Sequence, residues 1–164
     1  NLDTELASRI AFHLEQNEAV AVVVPTQRLL RFKAETGSAF DAMPTDRIGH
    51  HVGASQVVYV FVRDVRMSDQ PGILRPSAKL GVKVVDVPTG ERMFPTMDTA
   101  PNRPEVYGKT GWPVETQLFY RSGDLSDQEL VATLQHRMIN LLARDAARLF
   151  HQWDRKEPGY GFED

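Results

Sequence analysis

The sequence predicts an α/β domain: a mixed sheet of four to five strands with helices packed on it and a long C-terminal helix. Three observations carry that class. Ala19 to Val24 and Gln56 to Val62 are short, almost continuously apolar runs, the pattern of strands covered on both faces. Helical periodicity lies before, between and after them, which argues for crossover units and a parallel core. A further run, Ala78 to Val87, alternates with a period of two and leads into turn residues, as a strand with one wet face does.

The first helix spans Leu2 to Gln16, with Leu2, Leu6, Ile10 and Leu14 as its apolar stripe, widened by Ala7, Ala11 and Phe12. Asp3 and Glu5 sit in its first turn, where negative charge suits the helix dipole. Ala19 to Val24 then forms a strand that Pro25 stops. Thr26 caps a second helix over Gln27 to Glu35, with Leu29, Leu30 and Phe32 as its apolar side and Gly37 as its end. Asp41 to Pro44 is a turn, and Thr45 caps a short third helix that reaches Val52 and stops at Gly53. Gln56 to Val62 follows as the expected central strand, and Arg63, Asp64 and Arg66 mark where it leaves the covered centre.

Ser68 to Pro76 reads as a loop. In the next strand, Ala78 to Val87, Leu80, Val82 and Val84 share one face against Lys79, Gly81 and Lys83 on the other. Pro88 to Glu91 supplies a turn with Gly90 at the position that tolerates positive φ, and Arg92 to Phe94 returns as a short strand. Pro95 to Pro113 reads as a long surface loop ordered by Tyr107 and Trp112, and Val114 to Tyr120 as an edge strand. Ser126 and Glu129 have capping-box spacing and open the longest helix, about Asp127 to Trp153. Its stripe takes in Leu130, Leu134, Met138, Leu141, Leu142, Leu149 and Trp153, with Arg137, Arg144 and Arg148 expected in solvent. Residues 1–157 read as a single α/β domain and 158–164 as a tail.

Composition excludes several classes. Hydrophobic residues make up 41% and charged residues 25%, ordinary globular values. With 19 Lys and Arg against 22 Asp and Glu, the chain carries no positive field to draw nucleic acid. The absence of cysteine removes disulfides, thiolate nucleophiles and cysteine-ligated metals, and leaves the compartment open. No apolar run approaches the ~20 residues of a membrane-spanning segment, and Asn1 to Glu5 is not a signal peptide.

Few residues invite chemistry. His50 and His51 are adjacent, so on a helix they diverge by about 100°, and no ligand sits three or four residues away to complete a metal face. Gly49 and Gly53 precede a strand, whereas phosphate loops follow one, so they read as close packing and a helix stop. Asp64, Asp69 and Asp86 sit near strand ends, where paired carboxylates serve acid–base catalysis in a small hydrolase or metal-binding enzyme. Arg63 and Arg66 with Lys79 and Lys83 form a basic stripe or a solvated edge. A small-ligand or glycan module using the 95–113 loop is the other alternative, with Tyr107 and Trp112 as its aromatic surface. No cofactor, catalytic residue or metal ligand is assigned.

One family pattern is visible. Glu-Leu-Ala in the first helix, Val-Val-Val-Pro after it, then Ile48-Gly49, Val52-Gly53-Ala54 and the strand Val57-Val58-Tyr59-Val60, followed by Val84-Val85-Asp86-Val87 and Gly90-Glu91, resemble a group of bacterial envelope domains. That group includes the periplasmic domain of the curli secretion channel CsgG, the lipoprotein activators of penicillin-binding proteins, and the amino-terminal domain of TolB. Its members begin with a strand ahead of the first helix and lack an irregular segment like Pro95 to Pro113. The resemblance covers about Leu2 to Phe94 and the last helix. It implies a non-enzymatic periplasmic or outer-membrane-associated component, with a lipid anchor upstream as a further expectation and a cytoplasmic location as the alternative. Such a component binds a protein partner or oligomerises, and Arg63, Arg66, Tyr107 and Trp112 are the residues expected on its contact surface.

Overall fold

The architecture is that of a computed structural model, which describes residues 2–20, 22–68, 73–96, 111–118 and 128–150. Its helices are α1 (Leu2–Gln16), α2 (Thr26–Thr36), α3 (Thr45–Val52) and α4 (Gln128–Ala147). Its strands are β1 (Gln56–Arg66), β2 (Ser77–Asp86), β3 (Arg92–Phe94) and β4 (Trp112–Gln117). The α/β class, the four strands and the long C-terminal helix therefore stand as the sequence predicts.

The sheet is organised around β2. On one side it pairs with β1 from Gln56 opposite Asp86 to Arg66 opposite Ser77. On the other side β3 pairs with Val84 and Val85, and β4 pairs with Ser77 to Val82. β3 and β4 run the same way along the same edge of β2, so together they fill one strand position from which the chain departs at Pro95 and returns at Gly111. Phe94, Trp112 and Phe150 close the base of that departure, with Phe94 5.4 Å from the Phe150 ring and 6.1 Å from that of Trp112.

Period-two alternation decides which face is covered. Ala78, Leu80, Val82 and Val84 of β2 are buried, with Val114 and Thr116 of β4 beside them and Val58, Val60 and Val62 of β1 partly buried on the same face. Against this face lie α1, through Leu6, Ile10 and Leu14, and α4, through Leu134, Met138, Ile139, Leu142, Ala143, Ala146 and Ala147. The alanines bring the α4 backbone close to the sheet, and 15 residues of α1 lie alongside it.

Several expectations are corrected. Among the described residues every ladder is antiparallel, so the sheet they form is not mixed and has no parallel core. Among the described strands β1 lies at the edge rather than at the centre, and no residue in it is fully buried. A continuous apolar run shows that both faces tolerate apolar residues, but not that both are covered. Ala19 to Val24 is not a strand among the described residues: Ala19 and Val20 pack against the core, while Val22 is 83% exposed. The parallel arrangement required that segment as a neighbour for β1, and hairpin-like antiparallel pairing of β1 with β2 supplies the sheet without it.

Smaller differences have local causes. Thr26 and Thr45 open their helices without capping them, because Pro25 and Pro44 hold the cap positions and make no side-chain cap bond. β4 starts at Trp112, two residues before the expected Val114, with Pro113 opposite Gly81 on an outer strand where its missing N–H is tolerated. Arg148 is buried rather than solvated, since the chain tightens into a 3₁₀ turn at Arg148–Phe150 and turns this side chain inward beside Asp145. Ser126, the cap residue of the expected capping box, and Trp153 lie outside the described residues, whereas Glu129 stands in the first turn of α4.

Candidate functional surface

The uncovered face of the sheet begins where α3 ends. Gly49 rests on Val57 and Val87, and a Cβ there would stand 2.4 Å from Val87 Cγ2 and 2.7 Å from Val57 Cγ2. Only a glycine lets the helix approach the sheet so closely. Gly53 then stops α3 in the left-handed conformation at φ 72°, its N–H donating back to the carbonyls of Gly49 and His50. The chain enters β1 directly, so α3 covers Val57 and leaves the next residues of that face uncovered.

Beyond Val57 the outward positions of β1 are Tyr59 and Phe61, which are 37% and 43% exposed. Lys83 reaches over the Tyr59 ring, its Nζ 4.6 Å from the ring centroid. Phe61 stands opposite Gly81, which has no side chain to flank the ring. Lys79 and Glu115 form an ion pair across β2 and β4 at 3.0 Å. Arg66 bonds Asp64 at 2.7 Å, just after the irregularity between Val62 and Asp64 that leaves Arg63 without a counterpart on β2.

Alongside this face runs the free edge of β1. Among the described residues, the only strand paired with β1 is β2, so the backbone groups along its other edge have no strand partner. Gln56 to Val62 is the straight part of that edge, uncharged and rich in β-branched and aromatic residues. Such an edge is the usual place for strand addition.

The basic stripe does not act as one field. Arg66 and Lys79 are each matched by a carboxylate, and Lys83 lies over an aromatic ring. Arg63 is exposed at the bulge. Asp64 lies opposite Lys79 and Asp86 opposite Gln56, which sets the two carboxylates about 24 Å apart at ~3.4 Å per residue, too far to serve one reacting group. Asp86 is held in its turn, accepting from the Thr89 hydroxyl at 2.7 Å and the Thr89 N–H at 3.2 Å. His51 stacks on Phe32 at 4.6 Å and lies nearly perpendicular to His50, so the pair joins α2 to α3 and does not converge. Among the described residues no group of three His, Asp or Glu side chains is placed to hold a metal. Trp112 belongs to β4 and packs against the core and Phe94 instead of standing on a loop. Tyr107 and Asp69 lie outside the described residues.

A second polar group lines the seam between α1 and α4. Arg9 donates to Nε2 of His136 at 2.9 Å, which leaves Nδ1 as the N–H donating to Glu5 at 2.7 Å. One turn along, burial lowers the pKa of His13, and Arg144, Arg9 and Arg148 push the same way against a hydrogen bond with Asn140. Asp145 accepts from Thr116 at 2.9 Å and from Arg144 at 3.3 Å, tying α4 to β4. These contacts join α1 to α4 and α4 to β4.

Sequence pattern does not single out Tyr59 and Phe61, because the run around them reads as buried. The signal lies in the spacing: Val57, Tyr59 and Phe61 share one face, and among the described residues no second helix covers them. Comparison with protein-family models, curated proteins and solved structures gives no significant match to this chain. Among the described residues no helix is long and apolar enough to cross a membrane.

Proposed function

We propose that this chain is a non-enzymatic domain of the bacterial cell envelope, periplasmic or outer-membrane-associated, that works by binding protein through β1. The observation that carries this reading is the coincidence of a strand edge that is unpaired among the described residues with two exposed aromatic rings, Tyr59 and Phe61, on the adjoining face. Main-chain bonds along an edge supply affinity, and aromatic side chains beside it supply selectivity. The envelope location rests on the sequence resemblance, in which the glycines Gly49 and Gly53 and the Val84 to Glu91 turn recur.

The reading is tested by placing a photo-crosslinking residue at 59 or 61 in the full-length protein expressed in its native cell, with position 12 on the exposed side of α1 as control. Adducts to protein from 59 and 61, recovered in the envelope fraction and at least tenfold fewer from 12, are the expected result. A cytosolic protein that forms no such adducts would overturn it.

A further inference from the structure

We infer that the partner taken by the free edge of β1 is a second copy of this chain, paired antiparallel about a twofold axis at Tyr59. The inference rests on the protein-binding reading above and names its occupant. The straight part of the edge is Gln56 to Val62, ended by the bulge at Arg63. Tyr59 is the middle of that run. Antiparallel pairing centred there sets Tyr59 opposite Tyr59 of the second copy, Val57 opposite Phe61, Val58 opposite Val60 and Gln56 opposite Val62, so the whole straight run is used with no overhang.

The charges favour that register. Arg63, Asp64 and Arg66 all lie at one end of β1, and the residues preceding Gln56 are the uncharged Ala54 and Ser55. Antiparallel pairing therefore brings each charged end beside the neutral end of its mate. A parallel pairing in register would stack Arg63 on Arg63 and Arg66 on Arg66, which like-charge repulsion disfavours. Side chains also match on each face. Tyr59 and Phe61 from both copies join in one exposed row, each Tyr59 ring already carrying Lys83 on its own side, while Val58 and Val60 continue the core face. The result is a closed dimer in which the two sheets become one, and the bulge turns the remaining edge away from further addition.

The chain contains no cysteine, so single substitutions give an unambiguous crosslink. Under mild oxidation Tyr59→Cys should form a disulfide-linked dimer at least tenfold more efficiently than Phe61→Cys, because only position 59 meets its own copy. Val22→Cys serves as an exposed control. Sedimentation of the unmodified protein should show a monomer–dimer equilibrium, and Tyr59→Lys, which sets two like charges on the axis, should shift it at least tenfold toward monomer while leaving the circular dichroism unchanged. A monomer at all accessible concentrations, with no disulfide-linked dimer from Tyr59→Cys, overturns the twofold pairing. Crosslinking of Val22→Cys or Phe61→Cys that equals or exceeds that of Tyr59→Cys overturns it too. If the dimer is absent while positions 59 and 61 still give adducts to other proteins in cells, the self-pairing fails and the protein-binding reading stands. If both are absent, both fail.

Discussion

Gly111 is the residue on which the return of the chain to the sheet depends. It has φ +70°, and a Cβ there would lie 2.5 Å from the Val82 carbonyl oxygen, a backbone atom of the central strand that cannot swing aside. Gly111→Ala is therefore expected to cost about 2–4 kcal/mol from strain and overlap together, read as a shift in the urea midpoint. A loss below about 0.5 kcal/mol would show that β4 does not join β2 as described. Gly49 is a milder case because its neighbours are side chains. Gly49→Ala should be destabilising by about 1–3 kcal/mol, and Val87→Ala in the same chain should recover part of that, giving a coupling of about 1 kcal/mol in a double-mutant cycle. His13 gives the pH dependence. Its folded pKa lies below the ordinary 6.5, so the unfolded chain binds the proton more readily and stability is lost as pH falls through and below that value. The His13→Met variant should lose less stability between pH 7 and pH 5 than the parent, measured by denaturant unfolding at each pH. An unchanged slope would remove His13 as the cause.

At the scale of elements, what the sequence discloses and what it hides have different physical origins. α1 and β3 fall where periodicity and turn chemistry put them, because Leu6, Ile10 and Leu14 repeat at helical spacing and Gly90 supplies the positive φ of the turn. Local patterns write themselves into sequence in this way. Which strand is central is a tertiary fact, and the apolar run of β1 outweighs the mixed pattern of β2 on the page although β2 has partners on both edges. The same holds for the candidate surface: Tyr59 and Phe61 are visible as residues, but their exposure depends on where α3 stops. Arg148 is hidden for a related reason, since its burial follows from the 3₁₀ turn after α4 and its closeness to Asp145. The corrected order of strands has a measurable consequence. Leu80, fully buried on β2, should cost about 2–5 kcal/mol when cut to alanine, whereas Val62→Ala on the same face of β1 should cost only about 1 kcal/mol. Equal costs, in urea titrations of the two variants, would return β1 to the centre.

Across the whole molecule, stability should fall off from the core face toward α2. The buried side chains of β2, α1 and α4 form one cluster, so opening any of them exposes the rest. α2 contributes no buried residue. It is held to its neighbours by contacts at the surface: Phe32 stacks on His51 at 4.6 Å and meets Phe40 edge-on at 5.9 Å, and Lys33 lies 5.3 Å from the Phe40 ring centroid. Such a helix can open while the sheet stays closed, because little apolar area is lost when it leaves. Native-state hydrogen exchange should therefore find the amides of β2 from Ala78 to Val84 protected to the level of global unfolding, and those of α2 exchanging at least a hundredfold faster. Phe32→Ala should speed exchange in α2 further and leave β2 unchanged, since the stacked pair bridges α2 and α3 and touches no part of the main core. Protection in α2 equal to that in β2 would mean that the helix is part of the cooperative unit. It would then need a buried contact that its surface position among the described residues does not supply.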